Sequence, residues 1–348
     1  KFGEIIKKSY EIAQEEINAK GGVKGMKLVL SFEDSQGKPE ISRSIVEKLI
    51  DVDKQPVIFS EYSSACAKAV AAVKLEVGTD ALVHLAASLD YFGRPSDLRR
   101  VNVEGTLNVL RLAADSGVKK VVLASSIEAL GPFPETELPA GEGAAPAPVS
   151  SYGGSKLEAE RRAAAFCGER GIDLTVLRLG NVYGPPSRAL LLPVAEALLN
   201  GGEMIDLLPV YGDRYVHPLF IDDAAGAVSA ALRSGRGGGT YLICGPEPVT
   251  IGGLFALVAS ALGLPPPAAG RRASLADRIR VKLRNRLCRL RRRADLLAYF
   301  TAVPVGRIHR AYSIRKAGAE LGWRPAVGAG DGIRRTMEWA RKEGLIRR

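Results

Sequence analysis

The sequence predicts an α/β protein built on a doubly wound parallel sheet, with a smaller lobe in its C-terminal part. Short apolar segments alternate with segments of helical periodicity, a pattern typical of a parallel sheet with helices on both faces. The clearest predicted strands are 81–85, 120–125 and 174–179. The chain has 348 residues, of which 46% are hydrophobic, so it is long and apolar enough to bury a large core.

The first 75 residues predict alternating helices and strands. Apolar side chains recur at helical spacing before Gly21 and again after Pro39, with short apolar segments between the helices. In order, the predicted elements are a helix at 4–19, a strand at 27–32, a helix from Pro39, a strand at 56–59 and a helix begun by Ser63 and Ser64. A doubly wound domain normally begins with a strand, whereas this segment begins with a helix.

From residue 81 onward, strands and helices alternate more regularly. The predicted elements are a strand at 81–85, a helix at 98–114, a strand at 120–125, a helix at 151–169 and a strand at 174–179. A loop rich in Pro, Gly and Ala spans 131–149, and beyond Gly184 the pattern becomes irregular. This last region predicts the smaller lobe, with a few elements that return to the main sheet.

The net charge of +11 is concentrated in one segment. Residues 271–295 hold eleven basic and two acidic residues, a balance of +9, and apolar residues recur there at helical spacing. The segment 271–293 therefore predicts a basic amphipathic helix. We expect it to cover the lobe with a solvated face. Weak contact with an anionic membrane surface is the second interpretation, and nucleic acid is the third, because no aromatic residue lies among the arginines.

Cysteine usage and hydropathy indicate a cytoplasmic protein. The four cysteines lie far apart without the spacing of a metal site, which predicts free thiols in a reducing compartment and no bound metal. No apolar segment approaches the roughly 20 residues that cross a bilayer. The first residues also lack the apolar core of a secretory signal.

Tyr152 and Lys156 lie at the start of the predicted helix 151–169. Residues four apart share one helix face, and an ammonium beside a phenol lowers the tyrosine pKa. A tyrosine tuned in this way can exchange a proton with a carbinol or a carbonyl. An isolated pair at this spacing is more often a surface Tyr and Lys, so a catalytic assignment depends on further motifs.

Further motifs accompany this pair in a fixed order. Ser125 and Ser126 end a predicted strand, and the C-terminal ends of such strands are where α/β proteins bind ligands. The other segments are Val83-His84-Leu85-Ala86-Ala87, Asn102-Val103-Glu104-Gly105-Thr106-Leu107-Asn108, Arg178-Leu179-Gly180-Asn181-Val182-Tyr183-Gly184-Pro185, Phe220-Ile221-Asp222-Asp223-Ala224 and Leu321-Gly322-Trp323-Arg324-Pro325. With these motifs, residues 79–348 resemble the extended short-chain dehydrogenase/reductase family, which includes NAD-dependent nucleotide-sugar epimerases and dehydratases and 3β-hydroxysteroid-dehydrogenase-like enzymes.

The resemblance implies a Rossmann-like NAD(P)-binding domain that continues over 79–184 and a substrate-binding lobe mainly over 185–348. The implied activity is an oxidoreductase or epimerase that uses NAD or NADP on a small-molecule substrate, either a nucleotide sugar or another secondary alcohol. Members of this family often form homodimers through the helices that include the Tyr–Lys helix, so a homodimer is an expectation from the resemblance.

The resemblance also implies a role for each matching residue. Ser126 would hydrogen-bond the substrate oxygen, Tyr152 would be the acid/base, and Lys156 would lower the Tyr152 pKa and hold the nicotinamide ribose. Cofactor contacts are implied for Leu85, Ala86, Ala87, Asn102, Ser125, Tyr152 and Lys156, and substrate contacts for Asn181, Arg188 and Arg214. His84 lies on an apolar strand, and we expect it to be a core histidine rather than a catalyst.

Two features depart from the family pattern. A member should begin with a strand followed by Gly-x-x-Gly-x-x-Gly, whose backbone approaches the cofactor pyrophosphate, and this sequence contains no such motif. Nucleotide-sugar epimerases also usually place an Arg six residues before Asp222, where this chain has Val216. The second departure leaves room for a steroid-like or other apolar alcohol.

Residues 1–75 resemble a different family, the periplasmic branched-chain amino-acid-binding proteins. The resemblance rests on the segments 16–25 and 33–40 and on the helix start at Ser63 and Ser64. In that family the position of Ser64 helps bind a carboxylate, although here Ser64 is better explained as a helix cap. The chain is therefore interpreted as a chimera, in which a βα fragment completes or abuts the sheet of the enzyme part.

Three hypotheses follow from the sequence. The first is an oxidoreductase or epimerase whose cofactor binding is impaired by the loss of the Gly-rich loop. The second is an amino-acid-binding module formed by residues 1–75. The third is a folded but inactive hybrid protein.

Overall fold

The computed structural model describes residues 81–346 except 91–92, 202–204, 206–207, 235–237, 268–273, 275–278 and 280–308, together with isolated positions between 14 and 48. The chain forms two compact units, Lys1–Gly78 and Thr79–Arg348, and all elements named below belong to the second. The strands predicted before residue 80 and the helix start at Ser63 and Ser64 lie outside the described residues, as does nearly all of the basic segment 271–293.

The described strands form one main sheet and two small ones. They are β1 (Ala81–His84), β2 (Lys120–Ser126), β3 (Asp173–Leu179), β4 (Asn181–Tyr183), β5 (Tyr215–Val216), β6 (Pro218–Phe220), β7 (Gly239–Ile243) and β8 (Val249–Thr250). The main sheet has the order β1-β2-β3-β7, and all of its neighbours are parallel. The predicted parallel α/β fold is thereby confirmed.

The described helices separate and cover these strands. They are α1 (Pro95–Leu98), α2 (Gly105–Asp115), α3 (Ile127–Leu130), α4 (Ser151–Glu169), α5 (Leu191–Asn200), α6 (Leu208–Tyr211), α7 (Ile221–Arg233), α8 (Ile251–Leu262), α9 (Arg315–Leu321) and α10 (Ala329–Lys342). Helix α4 occupies the range that the sequence predicts. Among the described residues, no helix is both long and apolar enough to cross a membrane.

The helix predicted over 98–114 is divided by a π-helical segment, Arg99–Glu104. The amide of Gly105 donates to the carbonyl of Arg100, five residues back, which is the π-helical pattern. Asn102 lies inside this segment and is buried with its side chain hydrogen-bonded to Ser88 and Ser155. Hydropathy periodicity does not reveal this departure from a regular helix.

The main sheet is covered on both faces. Successive residues of a strand point to opposite faces, so Val121 and Leu123 of β2 pack with α2 and α4, whereas Val122 packs with α7. Ala227 and Ala231 of α7 are fully buried against that second face. The small alanine side chains let the helix lie close to the sheet.

The smaller lobe has its own core. Strand β4 pairs with β6 in parallel and β5 pairs with β8 antiparallel, and a hydrophobic cluster joins α5, α6, α8 and α10. Phe255, Ile333 and Met337 are almost fully buried members of this cluster. The chain passes between lobe and sheet more than once, because β7 returns to the main sheet after β5 and β6.

Of the four cysteines, Cys167 and Cys244 lie among the described residues, and both are buried free thiols. Within the same residues no group of His, Cys, Asp and Glu side chains could hold a metal ion. Cys66 and Cys288 lie outside the described residues.

Candidate active site

Ser126 and Tyr152 meet at the C-terminal end of β2. Ser126 is the last residue of that strand, and its hydroxyl accepts a hydrogen bond from the amide of Glu128 at 3.2 Å and begins α3. Tyr152 lies in the first turn of α4, whose start is capped by the Ser150 hydroxyl. The side chains of Ser126 and Tyr152 hydrogen-bond each other. The structure therefore brings two of the predicted catalytic residues together.

The surroundings of Tyr152 favour its neutral phenol. Burial raises the pKa of Tyr152 above its ordinary value, the hydrogen bond from Ser126 opposes this rise, and the negative charge of Glu128 adds to it. The lowering of this pKa expected from Lys156 stays a prediction.

Lys156 follows Tyr152 by one helical turn and is also buried. Its Nζ donates to the carbonyl oxygen of Ala124 at 2.7 Å. Burial lowers the Lys156 pKa to about 8, and the negative charge of Glu160 works against this lowering. A buried ammonium at the strand end remains a donor for a ligand hydroxyl.

The turn after β1 carries the predicted cofactor contacts Leu85, Ala86 and Ala87. Leu85 directly follows β1 and is 61% exposed, which is unusual for a leucine. Asn102 holds this turn by both of its amide groups: Oδ1 accepts from the Ser88 amide at 2.7 Å, and Nδ2 donates to the Ser88 carbonyl at 3.1 Å. Asn102 thus fixes the backbone of the turn.

Ser125 does not face the same way as Ser126. Its hydroxyl donates to the carboxylate of Glu160, one turn beyond Lys156 on α4. Arg178 of β3 reaches the same carboxylate with Nη2 at 2.8 Å and Nε at 3.1 Å. Glu160 was not predicted as a site residue, although its spacing of four residues from Lys156 is visible in the sequence.

Arg214 is the predicted substrate contact that the structure distinguishes most clearly. It is 9% exposed, and its Nε and Nη1 are buried without a hydrogen-bond partner among the described residues. Its guanidinium lies 4.1 Å from the centroid of the Tyr211 ring. Burial lowers the Arg214 pKa, Tyr211 and Asp213 oppose this lowering, and the charge of Arg310 adds to it. Two buried cationic donors without acceptors fit an anionic ligand group.

The other two predicted substrate contacts differ in placement. Asn181 begins β4 and donates its backbone amide to the carbonyl of His217 at 2.9 Å. Arg188 is exposed in the loop that follows β4. Asn181 is therefore fixed between the main sheet and the lobe, whereas Arg188 reaches solvent.

A buried ion pair lies beside Tyr152 and was not predicted. Arg310 binds the carboxylate of Glu128 with Nε at 2.6 Å and Nη2 at 3.2 Å, and both side chains are almost fully buried. Arg310 directly follows His309, which forms an isolated antiparallel β-bridge with Phe133. The ion pair thus connects the C-terminal segment to the strand end that carries Ser126.

His84 is a hydrogen-bonded core histidine, as its apolar strand predicts. Its Nε2 lies 3.1 Å from the hydroxyl of Thr106, and that hydroxyl donates to the carbonyl of Asn102 at 2.7 Å. Because the Thr106 hydroxyl donates its hydrogen to the Asn102 carbonyl, it can only accept from His84, so Nε2 of His84 carries the proton. Burial, followed by the charge of Lys156, lowers the His84 pKa to about 4.

Two family models match the chain. The NAD dependent epimerase/dehydratase family matches residues 43–244, which is more than half of the chain. A periplasmic binding protein model matches residues 2–79. The two matches confirm both resemblances that the sequence analysis stated.

Individual relatives agree with the larger match. A dTDP-glucose 4,6-dehydratase of Streptomyces griseus is 30% identical over 278 residues, covering 77% of this chain and 74% of that protein. A UDP-glucose 4-epimerase of Vibrio cholerae is 35% identical over 116 residues, covering 32% of this chain and 35% of that protein.

Solved structures show the same fold. A dTDP-glucose 4,6-dehydratase from Streptomyces venezuelae, solved with NAD, has a TM-score of 0.63 at 26% identity, covering 85% of this chain and 84% of that one. The UDP-glucose 4-epimerase from Thermotoga maritima, solved with UDP-glucose, has a TM-score of 0.62 at 20% identity and covers 94% of each chain. With the strand-end Ser126, the Tyr–Lys helix and a family match over more than half of its length, this chain belongs to the NAD dependent epimerase/dehydratase family.

Proposed function

We propose that this protein is an NAD(P)-dependent oxidoreductase of the epimerase type that acts on a secondary alcohol of a nucleotide sugar. The observation that carries the proposal is the Ser126–Tyr152 hydrogen bond at the ligand-binding end of the sheet. A proton-transferring phenol and a hydroxyl that can bind the same oxygen are the groups that interconversion of an alcohol and a ketone requires.

The described residues fit the nicotinamide end of the cofactor. The exposed turn at Leu85 and the buried ammonium of Lys156 lie at the C-terminal ends of neighbouring strands, and Asn102 fixes the turn. A nicotinamide cofactor, when bound, supplies the hydride acceptor and donor. Lys156 would bind its ribose, and the turn would form one wall of the site.

The protein's own part of the reaction is proton transfer and orientation. Ser126 hydrogen-bonds the reacting oxygen, and Tyr152 exchanges the proton with it. Because burial raises the Tyr152 pKa, the tyrosine rests as a phenol and is ready to donate to a carbonyl oxygen. Removal of a proton from an alcohol requires the same phenol to lose its proton first, so we expect oxidation to be the slower direction at neutral pH.

The ion pair Glu128–Arg310 favours epimerase chemistry over dehydration. Elimination of water needs, besides the hydride step, an acid that protonates the departing hydroxyl. Among the described residues, Glu128 is a carboxylate close enough to Tyr152 to raise its pKa, and Arg310 holds both of its oxygens. Because both of its oxygens accept hydrogen bonds from Arg310, this carboxylate is not oriented toward a substrate hydroxyl.

Arg214 favours a phosphate-bearing substrate over a steroid-like alcohol. Its two buried donors without described acceptors would be satisfied by phosphate oxygens, whereas an apolar substrate would leave them unsatisfied. We therefore place the nucleotide diphosphate beside Arg214 and the sugar beside Tyr152.

We expect the proposed enzyme to bind its cofactor weakly. The sequence has no Gly-x-x-Gly-x-x-Gly segment, so several charge-assisted hydrogen bonds to the pyrophosphate, each contributing about 1.5–3 kcal/mol, have to come from other groups or are lost. We therefore infer that NAD(P) binds orders of magnitude more weakly than in relatives with the intact loop.

The experiment is calorimetric titration of the full chain with NAD and with NADP, followed by turnover of UDP-glucose and dTDP-glucose. Tyr152→Phe should reduce turnover by at least about 100-fold, because general acid–base catalysis contributes that much or more. Turnover that survives this change would show that another group is the acid/base. No binding at millimolar NAD or NADP would favour the inactive hybrid.

A second candidate function rests on the match of residues 2–79 to the periplasmic binding protein model. We propose amino-acid binding as the alternative for this segment. Titration with leucine tests it, and binding that is insensitive to Tyr152→Phe would assign the ligand to this segment rather than to the enzyme site.

A further inference from the structure

Two buried side chains bind the carboxylate of Glu160 on helix α4. Tyr152, Lys156 and Glu160 are spaced by four residues, so they follow one another along the same side of the helix. Glu160 is 6% exposed, and Ser125 and Arg178 both hydrogen-bond its carboxylate. Its charge is therefore fixed in position and shielded from water.

Arg178 holds Glu160 in a fork geometry. Nη2 lies 2.8 Å from Oε2, while Nε lies 3.1 Å from Oε1 and 3.3 Å from Oε2. The two partners come from different elements, Arg178 from β3 and Glu160 from α4, and both side chains are less than 9% exposed. A bidentate pair of this kind fixes the orientation of the carboxylate.

We propose that Glu160 is a positioning residue for the reaction, because its carboxylate, held by Arg178 and Ser125, keeps the buried Lys156 side chain cationic. A buried ammonium is costly unless an opposite charge lies near it. Lys156 donates to the carbonyl of Ala124, which orients the group but supplies no full charge. Glu160 supplies that charge from the next turn of the same helix.

The other charged and titratable groups around Lys156 act differently. His84 on β1 is neutral near pH 7, because its pKa is lowered to about 4. Tyr152 on α4 rests as a phenol, since burial raises its pKa. Among these neighbours Glu160 carries the negative charge that opposes the effect of burial on the Lys156 pKa, which stands at about 8.

The inference rests on the proposed function, because an ammonium matters here through the ribose and the tyrosine that it serves. Its test does not depend on turnover. The Lys156 pKa is measured directly by NMR titration of the lysine side chains in the full chain, with the Lys156 signal assigned by its loss in Lys156→Met. A chain that bound no cofactor would still give this pKa, so the two proposals fail separately.

Glu160→Gln should lower the Lys156 pKa by about 1 to 3, as expected when an opposite charge a few ångströms away is removed. The matched control is Glu158→Gln, two residues earlier on the same helix, where the carboxylate is 37% exposed and binds Arg99 and Arg162. Glu158→Gln should leave the Lys156 pKa unchanged. Glu160→Asp keeps the negative charge, so its Lys156 pKa should stay close to that of the unchanged protein.

Arg178→Gln provides the second variant, and its effect has the opposite sign. Without the guanidinium, the Glu160 charge acts on Lys156 with less opposition, so the Lys156 pKa should rise. A merely structural role for Glu160 and Arg178 would not produce shifts of opposite sign. If neither variant moves the Lys156 pKa, or if Glu158→Gln moves it as far as Glu160→Gln, the inference is overturned.

Where turnover is measurable, its pH dependence supplies a second readout. Because the proposal requires a cationic Lys156, the lower Lys156 pKa in Glu160→Gln should move the high-pH limb of the profile to lower pH, in step with the NMR-derived pKa. A loss of rate that is uniform across pH would contradict the positioning role.

Discussion

Arg214 shows how one buried side chain can restrict the class of ligand. A guanidinium normally finds acceptors for its donors when it leaves water, and here two donors remain without described acceptors while the aromatic ring of Tyr211 lies beside the charge. An arrangement of this kind lowers the stability of the fold and favours the binding of an anion. The change in stability and the change in anion affinity can both be measured on one Arg214 variant.

Arg214→Met should weaken binding of UDP by about 10- to 100-fold, since a charge-assisted hydrogen bond contributes about 1.5–3 kcal/mol. The melting temperature should stay the same or rise, because the change removes a buried charge that lacks a described acceptor. Arg188→Met is the matched control, since Arg188 is exposed in the loop after β4. Calorimetry that finds the larger loss for Arg188→Met would transfer the phosphate contact to that residue.

At the scale of a single element, helix α4 depends on a close approach to the strand end. A Cβ atom at Gly153 would lie 2.3 Å from the carbonyl oxygen of Glu128, whereas one at Gly154 would meet nothing within 4 Å. The glycine that follows Tyr152 therefore lets the helix pack directly on the backbone beside Ser126. The two glycines have different roles, although they are neighbours.

Gly153→Ala should destabilise the fold by about 1–3 kcal/mol, because overpacking forces the helix away from Glu128. It should also weaken the Ser126–Tyr152 contact and lower turnover. Gly154→Ala is the matched control and should be neutral or stabilising by up to about 1 kcal/mol, since alanine favours helix and has open space there. Equal effects of the two changes in urea unfolding would contradict the packing argument.

The contents of α4 also show what sequence reasoning could and could not predict. The helix bounds and the Tyr152–Lys156 face follow from local spacing, and the structure confirms them. Glu160 stands at the same spacing, but its meaning depends on Arg178 in a strand that comes later in the chain. Local periodicity shows which side chains share a face. It does not show what that face meets across the sheet.

The π-helical segment before α2 illustrates the same limit. Its sequence has ordinary helical periodicity, and the wider turn becomes understandable only through the hydrogen bonds of Asn102 to Ser88 and Ser155. Side chains that bond to groups outside their own element therefore account for both the missed boundary and the missed partners.

At the scale of the whole molecule, Glu128 and Arg310 connect distant parts of the chain. The pair joins the strand end at Ser126 to the C-terminal segment, and both partners are almost fully buried. Removal of one partner leaves an uncompensated buried charge, which typically costs about 3–5 kcal/mol. Replacement of both is much less costly.

Arg310→Met should therefore destabilise the protein by about 3–5 kcal/mol, and the double variant Glu128→Gln/Arg310→Met should recover most of that loss. Urea unfolding measures both. Additive losses in the double variant would show that the two side chains do not act as a pair.

Acid stability is the property of the whole molecule that two buried histidines predict. The pKa values of His84 and His217 are both lowered to about 4, in each case mainly by burial. The ordinary value of 6.5 applies to the unfolded chain, so between pH 6.5 and 4 the unfolded chain binds more protons than the folded one. The stability contributed by neutral histidines is thus fully present above pH 6.5 and is lost as the pH falls toward 4.

By pH 5 each histidine should have cost about 2 kcal/mol of unfolding free energy, because one pKa unit corresponds to about 1.4 kcal/mol. Urea unfolding at pH 7.5, 6 and 5 measures the slope, and His84→Gln should reduce the loss attributed to that residue while the double variant with His217→Gln reduces it further. Each variant loses stability at pH 7.5, because His84 binds Thr106 and His217 binds Gly245. The comparison therefore concerns the change with pH, and an unchanged slope in the double variant would assign the acid sensitivity to other groups.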